Sequence, residues 1–247
     1  MEKVPTIHNL KQLMRYTRSI VFPNYFEAET DPYEGFGQIL HLQISTVLPD
    51  HADNIAKQVM DQLPELKRLL HTDVEAVLHN DPAVTDIGEV ILCYPLPLVM
   101  THYRLAHLLY RLGVPRIPRM LTEMAHSRTG IDIHPAAQIG EYFCIDHGTG
   151  VVIGATSIIG SHVVLYQGVT LGAKSFHFDK TGMPIDEPRH PIIEDNVTIY
   201  SNSSILGRIR IGHDTIIGGN VWLTNNVPPC SRVIQSTPEV KCEINKR

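Results

Sequence analysis

The amino-acid sequence predicts an α+β protein: an N-terminal helical bundle followed by a parallel coil of short strands on a six-residue repeat, with one protruding loop. Two observations carry this. Apolar residues recur at helical spacing through the first half, and from Ile133 onward an aliphatic ladder occupies every sixth position. Its rungs are Ile133, Ile139 and Ile145, then, after a two-residue slip, Ile153, Ile159, Leu165 and Leu171. After a longer break come Ile193, Ile199, Ile205, Ile211, Ile217 and Leu223. A helix repeats at about 3.6 residues and a half-buried strand at about 2, so a period of six requires another geometry. One strand and one turn per repeat supplies it, and three repeats close one coil of a triangular prism.

The helical half is read in order. Leu10, Leu13, Met14, Ile20 and Val21 place a helix over Asn9 to Val21, which Pro23 ends. Similar patterns predict helices over Phe36 to Leu48 and Ala52 to Leu70, with Pro64 a kink or break in the second. Thr72-Asp73-Val74-Glu75 has the form of a capping box opening a new helix that stops near Asn80. Asp81-Pro82 then reads as a turn, because proline disfavours helical geometry in the residue before it. Leu98 to Leu112 is a further helix, ended by Gly113 and Pro115, and His102 and His107 on it read as structural or exposed rather than catalytic. The resulting division is a helical oligomerisation domain over 1–130, a coil domain over 131–232 and a tail over 233–247.

Composition narrows the class. At 247 residues, with 43% hydrophobic and 19% charged residues, the chain is an ordinary globular protein. A net charge of -5 argues against a nucleic-acid binder but leaves room for a local basic pocket that takes an anionic ligand. Cys93, Cys144, Cys230 and Cys242 form no CxxC pair, which fits a reducing cytoplasm. Charges among the first residues argue against a signal peptide, and the most apolar run, Val90 to Met100, is too short to span a membrane. Fourteen histidines invite a metal, yet few fall on the ladder, and no metal is expected.

Chemistry concentrates at the start of the ladder and at its break. Gly130-Ile131-Asp132-Ile133-His134-Pro135 is followed, nearly one coil later, by Asp146-His147-Gly148-Thr149-Gly150. Adjacent coils lie about 4.8 Å apart, so Asp132 is expected to orient the His147 imidazole and raise its basicity, leaving the other nitrogen to take a proton. Gly148 and Gly150 leave space for a ligand. The loop leaving the ladder after Leu171-Gly172 returns through Arg189-His190-Pro191, which makes it a candidate substrate wall.

These motifs together, Asp-Ile-His-Pro, Asp-His-x-x-Gly, Val-Thr-Leu-Gly and Arg-His-Pro over roughly Asp81 to Pro229, resemble the serine O-acetyltransferases of the hexapeptide-repeat superfamily. The resemblance implies a left-handed parallel β-helix of hexapeptide repeats, trimers that can join as hexamers through the helices, and acetyl transfer from acetyl-CoA to L-serine for cysteine biosynthesis. It implies His147 as catalytic base with Asp132 as its partner, His190 at the reacting centre, Asp81 and Asp146 on the substrate ammonium, and Arg189 on its carboxylate. Gly172, Ala173, Ser201 and Gly219 resemble the acetyl-CoA groove between subunits. Direct transfer leaves Cys144 as a packing residue. Three segments depart from the family pattern: Leu171-Gly172-Ala173-Lys174 with its longer loop, Ile234 to Pro238, and the ending Ile244-Asn245-Lys246-Arg247. Without a terminal isoleucine, a complex with O-acetylserine sulfhydrylase is not expected. The alternatives are an O-acetyltransferase of another small hydroxylated amine or a sugar, and a non-catalytic scaffold.

Overall fold

The computed structural model of the chain describes residues 4–28, 30–183 and 185–236. The residues after Ser236, which hold Cys242, most of the tail and the chain's end, lie outside them. Six helices come first: α1 (Ile7–Val21), α2 (Pro32–Ser45), α3 (Ala52–Asn80), α4 (Ile87–Cys93), α5 (Pro95–Arg111) and α6 (Ile117–Thr129).

Four of these differ from the expectation. No helix was singled out after Pro115, where α6 lies. The α3 helix is continuous through Pro64, and Thr72 opens no new helix. Ile55, Val59, Leu63, Leu66, Leu70, Val74 and Val77 form one unbroken buried stripe across both sites, while Pro64 is exposed, outside that stripe. The Thr72 hydroxyl donates within the helix to the Leu69 carbonyl (2.8 Å). The short α4 was missed; Asp86 accepts from the Glu89 amide (3.0 Å), and Glu89 accepts from the Thr85 amide (2.9 Å). The α5 helix starts earlier than Leu98, because Pro95 and Pro97 fall in its first turn, where an amide hydrogen has no helical partner.

Beyond Gly130 the chain forms a left-handed parallel β-helix of about five turns. Every rung of the ladder stacks on another. Ile133, Ile153, Leu171, Ile205 and Leu223 align on sheet A; Ile139, Ile159, Ile193 and Ile211 on sheet B; Ile145, Leu165, Ile199 and Ile217 on sheet C. Nearly all are buried, forming the axis of the prism. The corner from sheet B to sheet C carries a non-glycine residue of positive φ on each coil, namely Tyr142, His162, Asn196, Asp214 and Cys230. Among the described residues no helix is long and apolar enough to cross a membrane.

The helices close the first coil. Arg104 of α5 donates to both carboxylate oxygens of Asp73 on α3 (2.6 and 2.7 Å), and its guanidinium also reaches the Gly140 carbonyl (2.8 Å). Asp73 accepts from the Phe143 amide (3.2 Å), Thr72 from the Tyr142 amide (3.2 Å), and the Tyr103 hydroxyl donates to the Ala137 carbonyl (2.6 Å). His107 Nδ1 donates to the Pro135 carbonyl (2.8 Å). Asp73 and Arg104 are both buried. Asp73→Ala leaves a buried guanidinium unpaired and is expected to cost about 3–5 kcal/mol, read from urea unfolding. A loss below about 1 kcal/mol would show that the pair does not hold the two parts together.

Candidate functional site

The two-residue slip in the ladder falls at the corner leading from sheet C to sheet A. There the chain turns through His147, Gly148 and Gly150, all at positive φ (56°, 83° and 80°). A Cβ at Gly148 would lie 2.4 Å from Ile131 Cδ1, so the corner beside His147 admits glycine only. His147 is thrown outward, its side chain 72% exposed.

Two carboxylates lie beside it. Asp146 ends the strand Cys144–Asp146, with Oδ1 3.9 Å from His147 Nε2. Asp81 follows α3, where its Oδ1 accepts from the Ala83 amide (2.8 Å) and its Oδ2 from the Tyr94 hydroxyl (2.5 Å). The Tyr94 and Ala83 bonds hold the Asp81 carboxyl below the usual carboxylate range, with a smaller contribution from His147. The Tyr94 hydroxyl is pushed up to about 12 by the same bond. Tyr94, at the junction of α4 and α5, was not singled out from the sequence, since a tyrosine before Pro95 looks like a helix start. Burial pushes the Cys144 thiol up to about 12, which keeps it protonated.

At the opposite edge of sheet A, the corner leading to sheet B carries a second group. The Thr156 amide donates to His190 Nδ1 (3.1 Å), which leaves the proton of the neutral ring on Nε2. The Thr156 hydroxyl oxygen accepts from the Arg189 and His190 amides (2.9 and 3.0 Å), and Arg208 donates to the His190 carbonyl (2.9 Å). Thr156 therefore fixes the return of the loop. Its only sequence signal was its place on a corner one coil before Arg189. Burial, with Arg189, His134 and Arg208, pushes the His190 imidazole down to about 4. Arg189 reaches the Glu187 carbonyl (3.3 Å), and its guanidinium carbon is 5.7 Å from the Phe176 ring centre.

The expected residues thus fall into two sets. Asp81, Asp146 and His147 gather at one edge of sheet A, and Arg189 and His190 at the other. Asp132 lies on the first strand of sheet A and accepts from Arg119 (3.3 Å); among the described residues it makes no bond to His147 within the chain. The groove residues divide in the same way. Ser201 and Gly219 stack on the corner column below His147, where a Cβ at Gly219 would lie 3.3 Å from the Ser201 carbonyl oxygen. Gly172 ends a sheet A strand on the side of His190, and Ala173 opens the loop.

A prism of hexapeptide coils that displays an exposed imidazole beside two carboxylates at a glycine corner defines a hexapeptide-repeat acyltransferase. Residues 190–225 match the bacterial transferase hexapeptide (six repeats) family. The serine acetyltransferase, plasmid, of Synechococcus elongatus is 44% identical over 262 residues, spanning 94% of this chain and 82% of that protein. That of Mycobacterium tuberculosis is 41% identical over 162 residues, 66% of this chain and 67% of the relative. The crystal structure of serine acetyltransferase isoform 3 from Entamoeba histolytica in complex with cysteine superposes with a TM-score of 0.84 at 34% identity, covering 100% of this chain and 87% of that one. The Neisseria gonorrhoeae serine acetyltransferase in complex with serine gives 0.66 at 26% identity, covering 94% and 96%. The chain belongs to the serine acetyltransferase family and is an acyltransferase.

His190 and buried His102, both near 4, are neutral when folded at pH values where an unfolded histidine, at about 6.5, takes up a proton. Their contribution is complete above about pH 6.5 and falls as pH drops towards 4. Urea midpoints measured from pH 7.5 to 4.5 are expected to decline over that window, and less steeply in His102→Gln. An equal decline in that variant would remove His102 as a source.

Proposed function

We propose that the chain transfers the acetyl group of acetyl-CoA to the hydroxyl of L-serine, giving O-acetyl-L-serine for cysteine biosynthesis, at a site completed by a second copy of the chain. The observation that carries this reading is the split of the site between the two edges of sheet A. One edge offers a base and two carboxylates; the other offers a cation and a neutral imidazole whose free nitrogen bears a proton. Apposing unlike edges of two copies joins these complements, and repeating the contact closes a ring of three, the trimer; two such rings could pair through the helices.

In that site Asp81 and Asp146 pair with the serine ammonium, and Arg189 holds the carboxylate. His147 accepts the hydroxyl proton as the serine oxygen attacks the thioester carbonyl. The Asp132 carboxylate of the adjoining copy orients the His147 ring. His190, neutral with its proton on Nε2, donates to the developing oxyanion. The tetrahedral adduct collapses with cleavage of the carbon–sulfur bond, and the proton on His147 passes to the departing thiolate. No acyl-enzyme forms, in keeping with a Cys144 thiol held protonated by burial. Ser201 and Gly219 of one copy, with Gly172 and Ala173 of the next, line the path of the acetyl-CoA pantetheine; glycine at Gly148 and Gly219 leaves that corner free of bulk. The assembly operates in the cytoplasm, binds neither nucleic acid nor membrane, and uses no metal.

Thiol release from acetyl-CoA by the purified protein, with L-serine and with a panel of other hydroxylated amines and sugars, tests the reaction. Serine-dependent release with O-acetylserine as product is expected; release only with another acceptor would replace serine. His147→Ala should lower kcat at least about a hundredfold, and an unchanged rate removes the general base. A Cβ at Gly154 would lie 2.1 Å from His190 Nε2. Gly154→Ala is therefore expected to lower kcat about a hundredfold by moving the donor, with KM for acetyl-CoA little changed. Full activity in that variant would detach His190 from catalysis.

A further inference from the structure

A groove of about 1200 Å³ lies away from both edges of sheet A, between α1 and α6, and reaches the start of α5. Its apolar lining comes from Met14, Leu98, Met120 and Met124, among others. Its charged lining is one-sided. Lys11, Arg15, Arg18, Arg116, Arg119 and Arg128 face it, against the single carboxylate of Glu123. Glu123 is already engaged, 2.5 Å from Arg119. Among the described residues the other five cations have no carboxylate partner.

This concentration of positive charge sits on a chain whose net charge is -5. Five unpaired cations around one concavity repel one another and raise the local potential for an anion. Burial and the proximity of Arg128 both disfavour the charged form of Arg18, whose guanidinium packs on the Phe26 ring at 3.7 Å. An incoming anion would offset the first cost by giving the half-buried cation a partner.

We infer that this groove binds a nucleotide, with Arg18 and Arg128 taking the phosphates and the methionines the base. The chemistry selects that class over a simple anion. Arginine forks match phosphate oxygens, and methionine sulfur makes favourable contacts with aromatic rings. The volume exceeds the roughly 300–1000 Å³ of small-molecule sites, enough for a nucleotide with bound water. Occupancy also has a route to the reacting centre, since Arg119 lines the groove and donates to Asp132 (3.3 Å). This link to turnover rests on the role proposed for Asp132, whereas binding does not.

The test is calorimetric titration of the full chain with ADP at low and at high salt, without acetyl-CoA or serine, on the native protein, Arg128→Gln and Arg18→Gln/Arg128→Gln. Saturable binding is expected, weakened at least tenfold in the double variant and measurably in the single exposed one, with far-UV circular dichroism unchanged. ADP is further expected to alter serine-dependent turnover of the native protein but not of the double variant. Absence of binding overturns the inference. Equal affinity in all three proteins also overturns it, because ADP then sits elsewhere, the acetyl-CoA groove included. A smaller assembly for the double variant with ADP binding unchanged would instead make the groove a contact between copies. Binding that leaves turnover unaltered removes the link through Arg119.

Discussion

The bidentate ion pair between Asp73 and Arg104 is the interaction on which the rest of the structure depends. The first coil of a parallel prism has no coil above it, so its backbone groups would be left as an open edge. Here α3 and α5 serve as the missing coil. Arg104 reaches the Gly140 carbonyl, Asp73 the Phe143 amide, Thr72 the Tyr142 amide and Tyr103 the Ala137 carbonyl. The arrangement carries a cost, because burial drives the Asp73 carboxyl upward while Arg104 and the Phe143 amide work against it. It returns a fixed relation between bundle and coil. Because α3 is locked over residues 137–143, its end at Asn80 delivers Asp81 beside Asp146 and His147, whose corner begins four residues after Phe143.

The candidate site residues sit where the repeat fails. Between Ile145 and Ile153 the ladder gains two residues, and these form the corner that turns His147 outward. Between Leu171 and Ile193 it gains a loop, whose return carries Arg189 and His190. A regular coil presents similar corners on every turn and has no reason to favour one. Each insertion frees backbone from the pairing that fixes its neighbours, and a candidate site residue occupies the freed position. Local rules are expected to break at functional sites for this reason.

That contrast explains what was legible in the sequence. The ladder could be read because one aliphatic side chain per strand is a strict demand of the prism axis, and all thirteen rungs found their sheet. The bundle was read less well where tertiary burial overrode local signals. Pro64 and the Thr72–Glu75 pattern are sound punctuation marks for an isolated helix, but the stripe from Ile55 to Val77 outweighs both. Asp81, Asp146, His147, Arg189 and His190 were identified by motif. Their partners Tyr94 and Thr156 were not, since a tyrosine at a helix start and a threonine on a corner have no composition that marks them. The expected contact between Asp132 and His147 assumed that residues nearly one coil apart in sequence meet on one face, but the two lie on a strand and on a corner, separated along the coil.

The split of the candidate site follows from the same geometry. Side chains on one corner column stack upon one another along the prism, as Ser201 and Gly219 do, and those on another column face a different direction. A site needing a base, two carboxylates, a guanidinium and an oxyanion donor around one small substrate exceeds what one column can present, because each coil contributes only one turn to it. In the reading proposed above, a second copy provides the second column, placing the base and the donor on different rigid bodies. Each group is then held by its own shell: Asp146 and the glycine corner around His147, Thr156 and Gly154 around His190. The rigidity of the prism fixes each half, and in the proposed assembly the contact between copies would fix the distance between them. On that reading assembly is part of the catalytic geometry, and a lone chain holds two halves that cannot act on the same molecule.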